Sequence, residues 1–307
     1  MSDKIVEWGY RAGWRAVRML PEAVAARLFR LIADRTTARD GKGVQQLRRN
    51  LRRVVGPDMP QRQLDRLVAD GMRSYCRYWM EAFRLPSYSR DELLSRFRLG
   101  GTEAFDEARD SGRGAIVAIP HSGNWDWAGA WVSAKGWEVT TVAERLKPEA
   151  VFDQFLDYRR KLGMHIEPHV GGDRPVQTVL SEALAKGHVV PLVADRDLSS
   201  GGIEVEFFGE TTRMPAGPAL LAIRTKAPLY TVVLHNDGPK SSGGEIIGPI
   251  DIPTDGPLAQ RLSTTMQRVA DQFAAGIAKH PQDWHMLQKL WLADLSADRP
   301  AKRMGEP

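Results

Sequence analysis

The chain has 307 residues, of which 42% are hydrophobic, and a single cysteine, Cys76. This excludes a disordered chain, an internal disulfide and any cysteine-based metal site, and it fits a globular protein with a true core in a reducing compartment. The formal charge of +5 is uneven: residues 1–56 hold 13 Lys or Arg against 5 Asp or Glu, so the basic character belongs to an N-terminal arm suited to an acidic surface.

The first 35 residues read as two helices divided at Pro21. At ~100° per residue, Lys4, Arg11, Arg15 and Arg18 fall within an arc of roughly 60°, across from Ile5, Val6, Ala16, Val17 and Leu20. Beyond Pro21, Val24, Leu28, Leu31 and Ile32 make a second apolar stripe with Arg27 and Arg30 beside it. A basic amphipathic segment carrying Trp8, Tyr10 and Trp14 suits the plane of an anionic membrane interface. The competing readings are a helix packed on the body with a solvated arginine face, and nucleic acid, for which no recognition motif is present. No stretch approaches the roughly 18 consecutive apolar residues of a membrane span, and arginines interrupt the start too often for a signal peptide. The expectation is a cytoplasmic protein, soluble or held on a membrane surface.

Helices are predicted over 44–55 and 61–85, around the break GPDMP, with Leu64, Leu67, Val68, Met72 and Tyr75 at helical spacing. Cys76, among Tyr75, Tyr78 and Trp79, reads as a packing residue. From Gly112 the pattern alternates: strand 115–119, helix 124–134, strand 137–143, helix 148–161, helix 174–186, strand 188–194, helix 215–225, strands 229–234 and 244–248, and helix 257–279. This predicts an α/β fold, a mixed, mostly parallel central sheet flanked by helices, in one domain to about residue 295. Residues 237–245 read as a flexible turn, and the tail from about Ser296 as disordered.

Ligands of open α/β sheets bind beyond the carboxyl ends of the strands. That rule selects His121, Glu144, Asp195 and His235, two histidines and two carboxylates at one sheet edge and a reasonable set for acid–base work. His121 has the richest context, IVAIPHSGNWD: Pro120 ends a strand, Gly123 allows an unusual backbone angle, Asn124 is a good N-cap, and Asp126 suits the first helical turn. Imidazole beside a helix N-terminus is favoured in its neutral form, the form a general base needs. Asp126 can serve His121 or pair with an arginine from elsewhere. His165-x3-His169 has metal-like spacing, but Pro168 spoils a helix there, and neither a P-loop nor a G-x-S-x-G turn is present.

With its spacing, His121-x4-Asp126 resembles the H-x4-D signature of glycerolipid and lipid A-type acyltransferases. The block 193–229, with the pair Asp195 and Asp197, Phe207-Phe208-Gly209 and a Pro/Gly/Ala-rich helix start, is similar to the lipid A biosynthesis acyltransferase family. So are HPQDWHMLQKLW at 280–291 and the internal arginine of Tyr158-Arg159-Arg160. The likeness runs from about residue 1 to 292, and within the family it is greatest to the actinobacterial phosphatidylinositol mannoside acyltransferases. It implies acyl transfer, typically of palmitoyl, from acyl-CoA as substrate to a mannose hydroxyl, with no cofactor, no metal and no covalent acyl-enzyme. His121 is then the general base, and Asp126 or the Asp195/Asp197 pair orients it. Arg159 is expected to pair with Asp126, and Glu144 to do likewise or to contact sugar. Arg196 and Asp197 are expected among the substrate contacts, and oxyanion donors among the backbone N–H groups after His121 or the Asn124 side chain.

Lipid A enzymes usually carry a transmembrane anchor, and this chain departs from them with its arginine-broken helix. The implied enzyme is a monomer lying on the cytoplasmic face of the plasma membrane, with phosphatidylinositol mannoside as acceptor and no nucleic-acid partner. Alternatives are another glycolipid or lysophospholipid as acceptor, a thioester hydrolase at the same site, and a non-catalytic basic lipid-binding protein.

Overall fold

A computed structural model describes residues 13–143, 156–168, 174–197 and 201–296. Glu144, His169, the arm residues before Gly13, most of the predicted helix 148–161 and the predicted tail lie outside them.

The chain opens with α1 over 13–19, α2 (Glu22–Ala38), α3 (Lys42–Val55) and α4 (Gln61–Arg84). Next come α5 (Arg90–Ser95), β1 (Phe97–Gly100), α6 (Glu103–Asp110), β2 (Ala115–Ile119), α7 (Trp125–Lys135), β3 (Val139–Ala143), α8 over 156–161 and β4 (Met164–Pro168). The remainder is α9 (Val176–Ala185), β5 (Val189–Val193), the hairpin β6 (Ile203–Phe207) and β7 (Glu210–Met214), α10 (Gly217–Thr225), β8 (Leu229–Val232), β9 (His235–Asn236), β10 (Ser242–Ile247), α11 (Leu258–Lys279) and α12 (Leu292–Ser296).

Among the described residues the main sheet runs β1-β10-β8-β2-β5-β3-β4, with β9 on β10. Its central ladders are parallel, and β10 runs antiparallel to β8. The mixed, mostly parallel sheet flanked by helices is therefore as expected. β2 is buried at every position because each face meets a different core. Ala115, Val117 and Ile119 pack with Phe105, Trp127 and Trp131 of α6 and α7, whereas Ile116 and Ala118 pack with Leu184, Leu221 and Phe273 of α9, α10 and α11. A third core joins Ala33, Leu47, Leu51, Leu64, Val68, Met72 and Cys76 of α2, α3 and α4. Cys76 is buried there, and burial pushes its thiol pKa up, as suits a packing residue.

The arm differs from its sequence reading in one respect. Trp14, assigned to a membrane face, is only 6% exposed and packs on Phe83 and Tyr158. Its indole donates to the Phe83 carbonyl, and so does Arg18, which leaves the basic stripe for the body of the protein. Arg84 answers by donating to the carbonyls of Val17 and Leu20, which caps the end of α1. Burying an indole with its N–H satisfied outweighs leaving it in solvent. On α2, by contrast, Ala25 and Ala33 face inward, while Val24, Leu28, Leu31 and Ile32 stand 42–46% exposed. No helix among the described residues is long and apolar enough to cross a membrane.

Candidate active site

The parallel register of β2 and β5 pairs Ile119 with Val193. Two residues past each of them stand His121 and Asp195, so the ladder delivers this histidine and this carboxylate to one point beyond the sheet. His121 Nδ1 lies 2.6 Å from Asp195 Oδ1, and the His121 backbone N–H donates to Oδ2 at 3.0 Å. Asp195 therefore accepts the Nδ1 proton and leaves Nε2 as the basic nitrogen, on a ring whose side chain is 34% exposed. Asp195 itself is fully buried. Burial opposes its charge, but the charge and hydrogen bonds of His121 and the indole N–H of Trp284, 2.9 Å from Oδ2, prevail and hold the carboxyl below the usual range.

Of the carboxylates left open in the sequence, Asp195 is the one that contacts the His121 ring in the structure. Asp126 is buried and turned to Arg159, whose Nε lies 2.6 Å from Oδ1 and whose Nη2 lies 3.2 Å from Oδ2; the Tyr78 hydroxyl donates to Oδ2 at 3.0 Å. Burial alone would weaken the Arg159 cation, but Asp126 outweighs it and raises the pKa above arginine's usual value. Burial, then Asp126, keeps the Tyr78 hydroxyl protonated. The aspartate of H-x4-D thus anchors the first turn of α7 instead of touching the histidine five residues before it.

Asn124 caps α7, its Oδ1 accepting from the Trp127 N–H, while its Nδ2 donates to Glu81. It is 1% exposed, so the side chain braces the turn. Gly123 is required by its backbone, with φ +55° and a space in which a Cβ would come within 2.8 Å of the Leu234 backbone. Two backbone donors expected for the oxyanion are already engaged: the Ser122 N–H on the Pro120 carbonyl and the Gly123 N–H on the Asp283 carbonyl. Past Asp195, Asp197 accepts from the Gly202 N–H. Arg196 is half-buried and makes no ion pair among the described residues. His235 does not join the pair; it contacts Asp237 at 2.7 Å and stacks on His280 at 4.0 Å between ring centroids. His165 sits on β4 against Glu138.

The sequence reading names both elements that brace the turn, the helix 61–85 and the block 280–291, but does not give them that part. From α4, Ser74 holds Asp283 and His285, Tyr78 holds Asp126, and Glu81, itself held by Arg77, holds Asn124. The signal was present: Ser74, Tyr78 and Glu81 recur four and three residues apart, a polar line along a buried helical face. From the C-terminal block, residues 283–285 bridge to 121–123: Ser122 pairs with Trp284, and the His285 N–H donates to the His121 carbonyl at 2.7 Å.

The chain matches the model of the bacterial lipid A biosynthesis acyltransferase family over residues 1–293, and it belongs to that family. Among named relatives, the phosphatidylinositol mannoside acyltransferase of Mycolicibacterium smegmatis is 45% identical over 98% of this chain and 96% of its own length. The protein of the same name from Mycobacterium tuberculosis is 47% identical over 96% of this chain and 92% of its own.

Proposed function

We propose that the chain moves a palmitoyl-type acyl group from acyl-CoA to a mannose hydroxyl of a phosphatidylinositol mannoside, with His121 as general base. The carrying observation is the 2.6 Å contact between His121 Nδ1 and the buried Asp195, on an imidazole that is itself partly exposed. Nε2 takes the hydroxyl proton as the oxygen attacks the thioester carbonyl. Asp195 stabilises the imidazolium, and collapse of the tetrahedral intermediate breaks the C–S bond and returns the proton to the departing thiolate. The N–H groups of Trp125 and Asp126, in the first turn of α7, serve the oxyanion in place of those of Ser122 and Gly123. Arg196 and Asp197 are kept as substrate contacts, Arg196 for a phosphate. The relatives' shared name supports the acceptor.

The assay incubates the protein with labelled palmitoyl-CoA and vesicles carrying phosphatidylinositol mannoside, a lysophospholipid or neither. Acylated mannoside is the expected product. Free fatty acid alone, whatever the acceptor, would overturn transfer in favour of hydrolysis.

The protein works from the cytoplasmic face of the plasma membrane, as one acyltransferase domain with a membrane-binding arm, monomeric and without cofactor. The support is the outward apolar stripe of α2 with exposed Arg27, Arg30 and Arg35 beside it. Burying Leu28 and Ile32 in the interface is worth about 1.5–3 kcal/mol each. A Leu28→Ser/Ile32→Ser variant is therefore expected to float with anionic vesicles at least roughly a hundredfold more weakly than the unaltered chain. Equal binding of the unaltered chain to neutral and anionic vesicles would remove the electrostatic part of the argument.

A further inference from the structure

Trp284 has no part in acid–base chemistry, yet among the described residues its side chain is the one besides His121 that donates to the Asp195 carboxylate. Its indole is completely buried and reaches Oδ2 at 2.9 Å, beside the His121 N–H on the same oxygen. Phe207 and Trp291 pack against its ring at centroid distances of 6.0 and 6.1 Å in edge-on contacts, and Phe208 adds a tilted one at 6.3 Å. Its neighbours along the chain are fixed as well. The Asp283 carbonyl takes the Gly123 N–H, the Asp283 carboxylate takes the Ser74 hydroxyl at 2.6 Å, and the His285 N–H holds the His121 carbonyl. The indole is thereby locked in place relative to both members of the pair.

We propose that Trp284 is a positioning residue for acyl transfer, its indole N–H holding Asp195 Oδ2 so that Oδ1 faces His121 Nδ1. This rests on the reading of His121 as the base. The residue type suits the duty. Indole is a donor only, so it cannot take the proton that Asp195 must leave on Nδ1, and its rigid ring admits no second orientation in a packed site. Without the indole, Oδ2 would keep the His121 backbone N–H as its remaining described donor, and that donor sits on the same turn as the imidazole. The carboxylate would lose its anchor to the rest of the core and with it part of the alignment that fixes the tautomer. The pair would then present Nε2 to the acceptor for a smaller share of the time.

The test replaces Trp284 with 3-benzothienylalanine, which keeps the bicyclic ring and lacks the N–H, and compares Trp284→Phe. The isostere preserves the packing, so a folded protein is available even where the phenylalanine variant fails. Two quantities are read: kcat and KM across pH in the transfer assay, and the titration of His121 by NMR with labelled histidine. The expected result for the isostere is a kcat about ten- to hundredfold lower, with KM for acyl-CoA little changed. The His121 titration and the acid limb of kcat should both move to higher pH, because the charge withdrawn by the indole returns to the imidazolium. Among the described residues His285 is also coupled to His121, and it stays neutral through this range, since burial and then His121 pull its pKa down to about 3. Wild-type kcat together with an unmoved His121 titration would overturn the proposal and reduce Trp284 to packing. A moved titration in a protein whose His121→Ala variant still transfers acyl groups would support the positioning and refute the base.

Discussion

Replacing His121 with alanine is expected to lower acyl transfer by about 10²–10⁴-fold, the usual contribution of a positioned general base. The Asp195→Asn variant should fall into the same range for a different reason. An asparagine at this position can donate its amide N–H to Nδ1, and the ring proton then sits on Nε2, where it blocks the nitrogen that must accept. Because Asp195 receives the His121 backbone N–H as well as the ring, the substitution also loosens the turn itself. The Asp126→Asn variant provides the comparison. It weakens the anchor to Arg159 while leaving the His121–Asp195 contact in place, so its loss of transfer should be smaller and accompanied by lost stability. Initial rates with labelled acyl-CoA distinguish these outcomes. A larger loss in transfer for Asp126→Asn than for Asp195→Asn, in proteins of equal stability, would return the catalytic carboxylate to the H-x4-D motif.

The second large effect is on stability. Arg159→Ala removes the cation from a pair whose carboxylate is 2% exposed and leaves Asp126 with neutral tyrosine hydroxyls, Tyr78 at 3.0 Å and Tyr158 beside it, in place of a charge. Breaking a buried pair from one side costs about 3–5 kcal/mol, because the surviving charge is neither solvated nor matched. Denaturant unfolding should show that loss, and Arg159→Met combined with Asp126→Leu should recover much of it. A single Arg159→Ala variant as stable as the parent would mean that the pair contributes nothing and that water reaches Asp126.

Most of the sheet was legible because its strands carry unbroken apolar runs: AIVAI and VVPLV lie where a sheet buried on both faces needs them. Strand β1 (FRLG) and β4 (MHIEP) escaped notice because edge strands mix polar and apolar residues with no sustained period. The β6–β7 hairpin was legible in principle. IEVEF alternates cleanly, and its turn takes Phe208 and Gly209 at positive φ. Within the site, His121 and Asp195 were both found by the strand-end rule. That they meet each other, and not Asp126, depends on the register of β2 against β5, which no local pattern encodes. Trp14 was misassigned because tryptophan is equally at home at a membrane interface and in a core; spacing does not reveal that Phe83 and Tyr158 wait to cover it.

The bridge from 121–123 to 283–285 has a bearing on when the protein becomes competent. Ser74 reaches Asp283 across 209 residues of chain, and Asn50 reaches the carbonyls of Met286 and Gln288 from still further away. Contacts of such separation form late, since loop closure must come before any of them can stabilise the fold. During synthesis, the sheet carrying His121 and Asp195 is complete before the segment that steadies them has left the ribosome. A chain cut before residue 283 would therefore hold His121 and Asp195 without the backing of Trp284 and His285.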